Sequence, residues 1–419
     1  MSELCRITDR ETLERQVRRI VADTPVVDLH THLYDAGFGD LMLWGPDEML
    51  TYHYLISELL RAERGRTSPA QFYAMSRREQ ADLIWQRLFL DASPISEACR
   101  GPLTVFHALG LDVSNRSLDE LRGYFADRDP EEYTDHVLQT AGVTDVVMTN
   151  DPLDPHEVQM WEDGVVHDIR FHAGLRLDAI ICQWAQSQPK LAAQGYDVTP
   201  DFSGRSAEEV MRFLRYWREK MDPLYMAVSL PDDFRYPADS LQTRIVEQAI
   251  LPLADQDELP LALMIGVIRA VNPPLLLAGD GMGISDVRSV ERMCEAWPSV
   301  RFLVTMLAQE NQHGLCVAAR KFPNLMPFGC WWFVNNPSLI ERITRMRTEM
   351  LGLGFIPQHS DARILDQLIY KWSHFREILA EVLVDKYADL MRTGWQITAE
   401  EIQRDVSGLC SGNFWQFVS

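Results

Sequence analysis

Eight short apolar runs recur along the chain: PVVDLHTHL, TDVVMTND, RFHAGLRLD, LYMAVSLP, LPLALMIGV, RFLVTML, LMPFGCWWF and GFIPQHSDAR. They are continuous rather than alternating, as strands covered on both faces are. Amphipathic helical stretches separate the later runs. The first of these is AEEVMRFLRYWREKM, opened by a capping-box pattern at Ser206 and Glu209. DSLQTRIVEQAILPLA, SDVRSVERMCEAW, NQHGLCVAARKF and PSLIERITRMRTEML follow in turn. Eight strands with intervening helices predict an α/β fold, a (β/α)8 TIM-like barrel. The competing open, doubly wound sheet would carry a glycine-rich phosphate loop after a strand, and none follows any of these.

Two stretches exceed a minimal barrel. Roughly a hundred residues separate the first two runs, far more than a βα loop needs. They read as helical in DEMLTYHYLISELLRA, SRREQADLIWQRLFL and LDELRGYFADR. The tail after the eighth run is also helical, with Thr398 and Glu401 as a second capping box before NFWQFVS. The expected organisation is one barrel domain over 1–419, with a helical insertion at about 41–140 and a helical C-terminal extension at about 364–419. The insertion leaves the C-terminal end of a strand, so it belongs over the mouth where barrel active sites lie.

Apolar residues make up 46% of the chain, enough for a sizeable core. Acidic residues outnumber basic ones 61 to 40, a formal charge of −21. That balance argues against nucleic acid or an anionic membrane as the main partner. For an anionic substrate, arginines inside the site must overcome this field. The seven cysteines (Cys5, Cys99, Cys182, Cys294, Cys316, Cys330 and Cys410) are scattered and form no CxxC. Free thiols in a reducing compartment are the plain reading. The first residues lack an apolar signal region, and no uncharged stretch reaches membrane-spanning length, so a cytoplasmic protein is expected.

The chemistry concentrates at strand ends. His30 and His32 are two apart at the end of the first predicted strand, so both project to one face and can bind a divalent metal such as zinc or manganese. Asp361 and Arg363 share a face in the same way at the end of the eighth. First and eighth strands are neighbours in a barrel, so Asp361 reaches the same metal and Arg363 stands ready for an anionic oxygen. His359 has the parity of Asp361 but lies deeper, as a support. The fourth strand has no lysine to bridge two metals and the fifth and sixth no histidine, so one metal is expected. In the insertion, His53 and Tyr54 precede a helical run ending in Arg61; such a cluster is more often core packing than catalysis. Arg176 at the third strand's end is a substrate clamp or the ion-pair partner of Asp178. Trp332 and Asn335 follow the seventh strand, and His313 reads as structural.

Taken together, these motifs resemble the uronate isomerase family of the amidohydrolase superfamily: HxH at His30 and His32, the pair His53–Tyr54, Arg176, WWFVNN, and Asp361 with Arg363. The likeness spans essentially the whole chain and is strongest to a divergent, shorter branch, through THLYDAGFGDLMLW, MSRREQADLIW, SEACRG, VVMTNDP, YMAVSLP, GCWWF and PQHSDAR. One departure is LISELLR, where the main family has a WRxMR-type continuation; Arg61 is the substitute this chain offers. The resemblance implies interconversion of D-glucuronate with D-fructuronate and of D-galacturonate with D-tagaturonate through a cis-enediol. It implies one divalent metal, zinc or else manganese, on His30, His32 and Asp361. Arg363 then stabilises the enediolate or lowers the pKa of Tyr54; ionised Tyr54, or Asp361, shuttles the proton; Arg176 and His53 hold the sugar, and Trp332 closes the pocket. A small sugar acid is the implied partner, and a homo-oligomer is the family habit. The rival readings are a metal-dependent amidohydrolase acting on an acidic small molecule, and a catalytically retired barrel.

Overall fold

The computed structural model describes residues 6–419, which leaves Cys5 outside the described residues. Parallel strands form at Val26–Asp28, Val143–Val147, Met226–Pro231, Leu261–Ile268, Phe302–Met306 and Leu325–Pro327. Each lies within one of the predicted runs or extends one residue beyond it. RFHAGLRLD instead splits into Phe171–His172, paired with the second strand, and Leu175–Arg176, paired with the fourth. Gly174 marks the split: a Cβ there would lie 2.5 Å from the carbonyl oxygen of Met148, so only glycine lets the backbones pass this close.

GFIPQHSDAR, predicted as the eighth strand, forms only a bridge between Phe328 and Ile356. Pro357 has no N–H to give a ladder, and Asp361 turns the chain with φ +54°. Side chains take over the pairing. Asp28 Oδ1 accepts from Ser360 N (3.0 Å), Gln358 Oε1 from Cys330 N (3.0 Å), and Asn335 Nδ2 donates to the His359 and Ser360 carbonyls. Backbone bonds from Asp361 N to His30 O (3.1 Å) and from His32 N to Ala362 O (2.7 Å) join this segment to the first strand, so hydrogen bonds run around all eight segments.

Closure shows in the packing. Along Leu261–Ile268, Leu261, Leu263 and Ile265 pack into the outer core, while Ala262, Met264 and Val267 pack into a separate inner one. Phe302 and Val304 likewise point out and Leu303 in. A period of two with both faces apolar is what a filled barrel under a helical shell demands. Phe414, on the C-terminal helix Asn413–Val418, enters the inner core beside Tyr225 and plugs the end opposite the strands' C-termini.

Between the first two strands lie the helices Pro46–Leu50, His53–Glu63, Pro69–Tyr73, Arg77–Ile84, Glu97–Ala108, Leu118–Phe125 and Pro130–Ala141. The capping box at Thr398 and Glu401 is present, and Ser68–Gln71 and Ser76–Glu79 form two more. The one expected at Ser206 is absent. Ser206 is already inside its helix and bonds back to Ser203 O and Thr199 N, while Glu209 pairs with Arg212 and Arg205. Among the described residues, no helix is long and apolar enough to cross a membrane.

Candidate active site

His30 and His32 follow directly on the first strand, with ring centroids 5.4 Å apart. Their Nε2 atoms lie 3.6 and 3.4 Å from Asp361 Oδ1, and one ligand atom from each residue falls within 4.8 Å of the others. The far side of each ring is committed. Thr149 Oγ1 gives its proton to Thr31 O (2.9 Å), so its contact with His32 Nδ1 (2.6 Å) is accepted from the ring N–H. Tyr225 likewise donates to Leu29 O (2.5 Å) and stands 3.4 Å from His30 Nδ1. Both imidazoles therefore carry hydrogen on Nδ1 and present a bare Nε2. Burial, reinforced by the neighbouring histidine, lowers His30 to a pKa of about 3, so it stays neutral. Burial also holds His32 well below its ordinary value.

Two lone pairs thus face a carboxylate oxygen. His30 Nε2 and Asp361 Oδ1 are buried without a hydrogen-bond partner. A cation is what that arrangement lacks, and two imidazoles with one carboxylate, oriented from behind, are a donor set that fits a divalent metal. Asp361 holds its place with a left-handed backbone (φ +54°), as does Trp332 (φ +46°); for residues other than glycine this costs about 1 kcal/mol or more.

The metal set borders a cavity of about 240 Å³ at the mouth. His53 reaches it as the first residue of its helix, its ring 5.8 Å from that of Trp332 and both ring nitrogens without partners. Burial lowers His53 to a pKa of about 3. Three guanidinium groups line the wall. Arg176 donates to Asp178 (3.2 Å), whose charge raises the arginine's pKa; Arg269 pairs with Asp280 (2.6 Å); Arg363 has no ion pair among the described residues. Arg176 is thus bound to Asp178 and lines the cavity.

Tyr54 is not among the residues that line this cavity. Its hydroxyl is buried without a partner, and the residue lines an adjacent cavity that shares Trp332. Burial pushes its pKa well above 10, with Tyr52 and Asp361 adding to the rise, and the lowering by Arg363 is the smallest effect. This setting favours the neutral phenol. Arg61 is exposed at the end of its helix and does not line the cavity. His359 is fully buried, its ring 5.1 Å from His30, which is a supporting position. Arg269 and Ser229 also line the cavity, and sequence reading passed over both. Their signal was available, since each lies near the C-terminal end of its strand, where barrel chemistry collects. Thr149, two residues past the second strand, carries the same signal, whereas Tyr225, which precedes the fourth, does not.

A solved structure described as a uronate isomerase from Bacillus halodurans C-125 superposes with a TM-score of 0.96 at 53% sequence identity, covering 98% of this chain and 97% of that one. A uronate isomerase from Thermotoga maritima gives 0.79 at 15% identity, with 99% and 100% covered. A glucuronate isomerase from Caulobacter crescentus gives 0.79 at 16%, with 98% and 94% covered. At these lower identities the likeness is one of fold. No family model matches the chain, and no curated protein matches it.

Proposed function

The chain belongs to the uronate isomerase family, and on that premise we propose that it interconverts D-glucuronate with D-fructuronate, and D-galacturonate with D-tagaturonate, through a cis-enediol. The observation that carries this reading is the juxtaposition of a bare two-histidine, one-carboxylate set with three guanidinium groups around one cavity. In a chain of net charge −21, that wall is a local exception suited to an acidic sugar.

His30, His32 and Asp361 would hold the metal, which we take to be zinc ahead of manganese. When bound, it supplies a positive centre that polarises sugar oxygens. The rest is the work of side chains. Arg363, without an ion pair among the described residues, receives the oxyanion that develops as the proton leaves C2. Arg176, which gives Asp178 one of its N–H groups, keeps others for the sugar carboxylate. His53, neutral and unpartnered, bonds sugar hydroxyls, and Trp332 closes the wall. We assign the proton carrier between C2 and C1 to the carboxylate of Asp361 ahead of the hydroxyl of Tyr54, whose pKa burial raises well above 10. In this reading 1–419 is one metal-dependent barrel domain, with the insertion at about 41–140 over the mouth and the extension at about 364–419 behind it. The free cysteines fit a cytoplasmic setting.

The test is ketose formation and C2 hydrogen exchange in deuterated water with metal-replete protein and each sugar. Both are expected to vanish in His30→Ala and Asp361→Asn, with exchange surviving in Tyr54→Phe. Exchange lost in Tyr54→Phe but kept in Asp361→Asn would reverse the assignment of the carrier. No ketose from either sugar, with metal bound, would remove the substrate proposal.

A further inference from the structure

Behind Trp332 lies a second cavity, of about 180 Å³, that the isomerisation does not use. Lys371, on the helix Gln367–Arg392, lines it at 6% exposure. An ammonium buried so deeply is as a rule paired. This one makes no hydrogen bond or ion pair among the described residues; the rings of Tyr54 and Tyr370 lie 5.8 Å from its nitrogen. Burial lowers its pKa, opposed by the more distant charges of Asp361, Asp28 and Glu97. Glu97, the carboxylate on the same wall, is committed to His374 Nδ1 (2.6 Å) and Arg100 Nε (3.0 Å).

Tyr54 and Trp332 also line this cavity, and the Tyr54 hydroxyl and the Trp332 indole N–H are buried without partners. The unfilled valences are mostly donors: three on the ammonium, one on the indole, and one on the phenol, whose oxygen can also accept. A single cation among neutral donors suits a monoanion better than a phosphate dianion. The faces of Tyr54, Tyr370, Trp332 and Phe333 supply apolar walls for the C–H side of a short polyol chain. We propose that this cavity is a second, noncatalytic site that binds the carboxylate of a small sugar acid on Lys371.

D-Gluconate is the probe, because it has no carbonyl to isomerise. Calorimetric titration of the metal-replete protein is expected to show a gluconate site that survives Arg363→Met and weakens about ten- to a hundredfold in Lys371→Met, the loss of one charge-assisted hydrogen bond to a buried anion. Lys371→Arg keeps the charge and is expected to retain most of the binding. A crystal of the gluconate complex should show the carboxylate against Lys371. Binding that follows Arg363 alone, or no gluconate bound at all, would overturn the proposal and leave the cavity to water. Where Lys371→Met fails to fold, the stoichiometry of Arg363→Met and the crystal decide: one gluconate at Lys371 supports the site, and none refutes it. These readouts do not depend on turnover, so failure here is separable from failure of the isomerase reading.

Discussion

Gly329→Ala is expected to cost about 2–4 kcal/mol and to loosen the metal ligands from behind. Gly329 has φ +63°, and a Cβ there would sit 1.9 Å from His359 Cδ2 and 2.5 Å from its Nε2. Neither side can yield. The Gly329 backbone is pinned by its N–H to Ile356 O (2.9 Å) and by its carbonyl accepting from the buried Arg347 (2.8 Å). The His359 ring is fully enclosed, 5.1 Å from the His30 ring and 5.3 Å from Phe328. A left-handed alanine costs about 1 kcal/mol, and overpacking an enclosed core adds about 1–3 kcal/mol. Urea denaturation of the metal-free protein reads the sum, and metal titration reads the displacement of His30. The steric part is isolated by Gly329→Ala/His359→Ala, which opens the space the methyl needs. A favourable coupling of about 1–3 kcal/mol is expected in that double-mutant cycle. A coupling below about 0.5 kcal/mol, with metal affinity unchanged in Gly329→Ala, would refute the reasoning.

Thr149→Val removes the acceptor for His32 Nδ1–H; metal affinity should fall about ten- to a hundredfold in a competition titration while the fold persists. Arg363→Lys keeps the charge but loses the planar fork, and kcat/KM for the uronates should drop about a hundredfold. Glu157 gives a pH signature. Burial raises its pKa from 4.5 to about 7, so between these values the folded chain holds a proton that the unfolded chain releases. Its contribution is therefore greatest below pH 4.5 and falls by about 3 kcal/mol as pH rises through 7. Glu157→Gln abolishes that dependence, and denaturation midpoints should show the variant gaining on the wild type by this amount between pH 4.5 and 8.

The parts of the site that were legible in the sequence obey local periodicity. His30 with His32 is a pair two apart at a strand end, and spacing alone puts it on one face; Asp361 and Arg363 both line the cavity as that spacing predicts, but from a segment whose left-handed Asp361 is not strand backbone. What escaped depends on partners far along the chain. Tyr54 looks reactive beside His53, yet burial, with Tyr52, Asp361 and Tyr370 adding to it, raises its pKa well above 10, which the HY pair itself does not announce. The eighth strand failed for the opposite reason: its apolar run is strand-like, but Pro357 and the left-handed Asp361 deny it a ladder, and side chains substitute. At Ser206 the capping pattern was real as sequence, but the chain enters the helix one residue earlier, so the hydroxyl bonds the preceding turn instead.

Closure of the barrel and assembly of the metal set are the same event. Asp28 accepts from Ser360 N, 332 positions away, and from the Trp372 indole at 2.8 Å, 344 positions away. The bonds Asp361 N to His30 O and His32 N to Ala362 O lie among the ligands themselves. An unclosed barrel therefore has two histidines at one end of the chain and a carboxylate near the other, with nothing to gather them. A metal that binds only the closed form must stabilise it by RT ln(1 + [M]/Kd), about 2.7 kcal/mol at a hundredfold excess over Kd. The denaturation midpoint of the wild type should rise accordingly with added metal. That of Asp361→Asn, which keeps the backbone bond but loses the charged ligand, should not. An equal rise in both would mean that the metal acts somewhere other than the seam where the barrel closes.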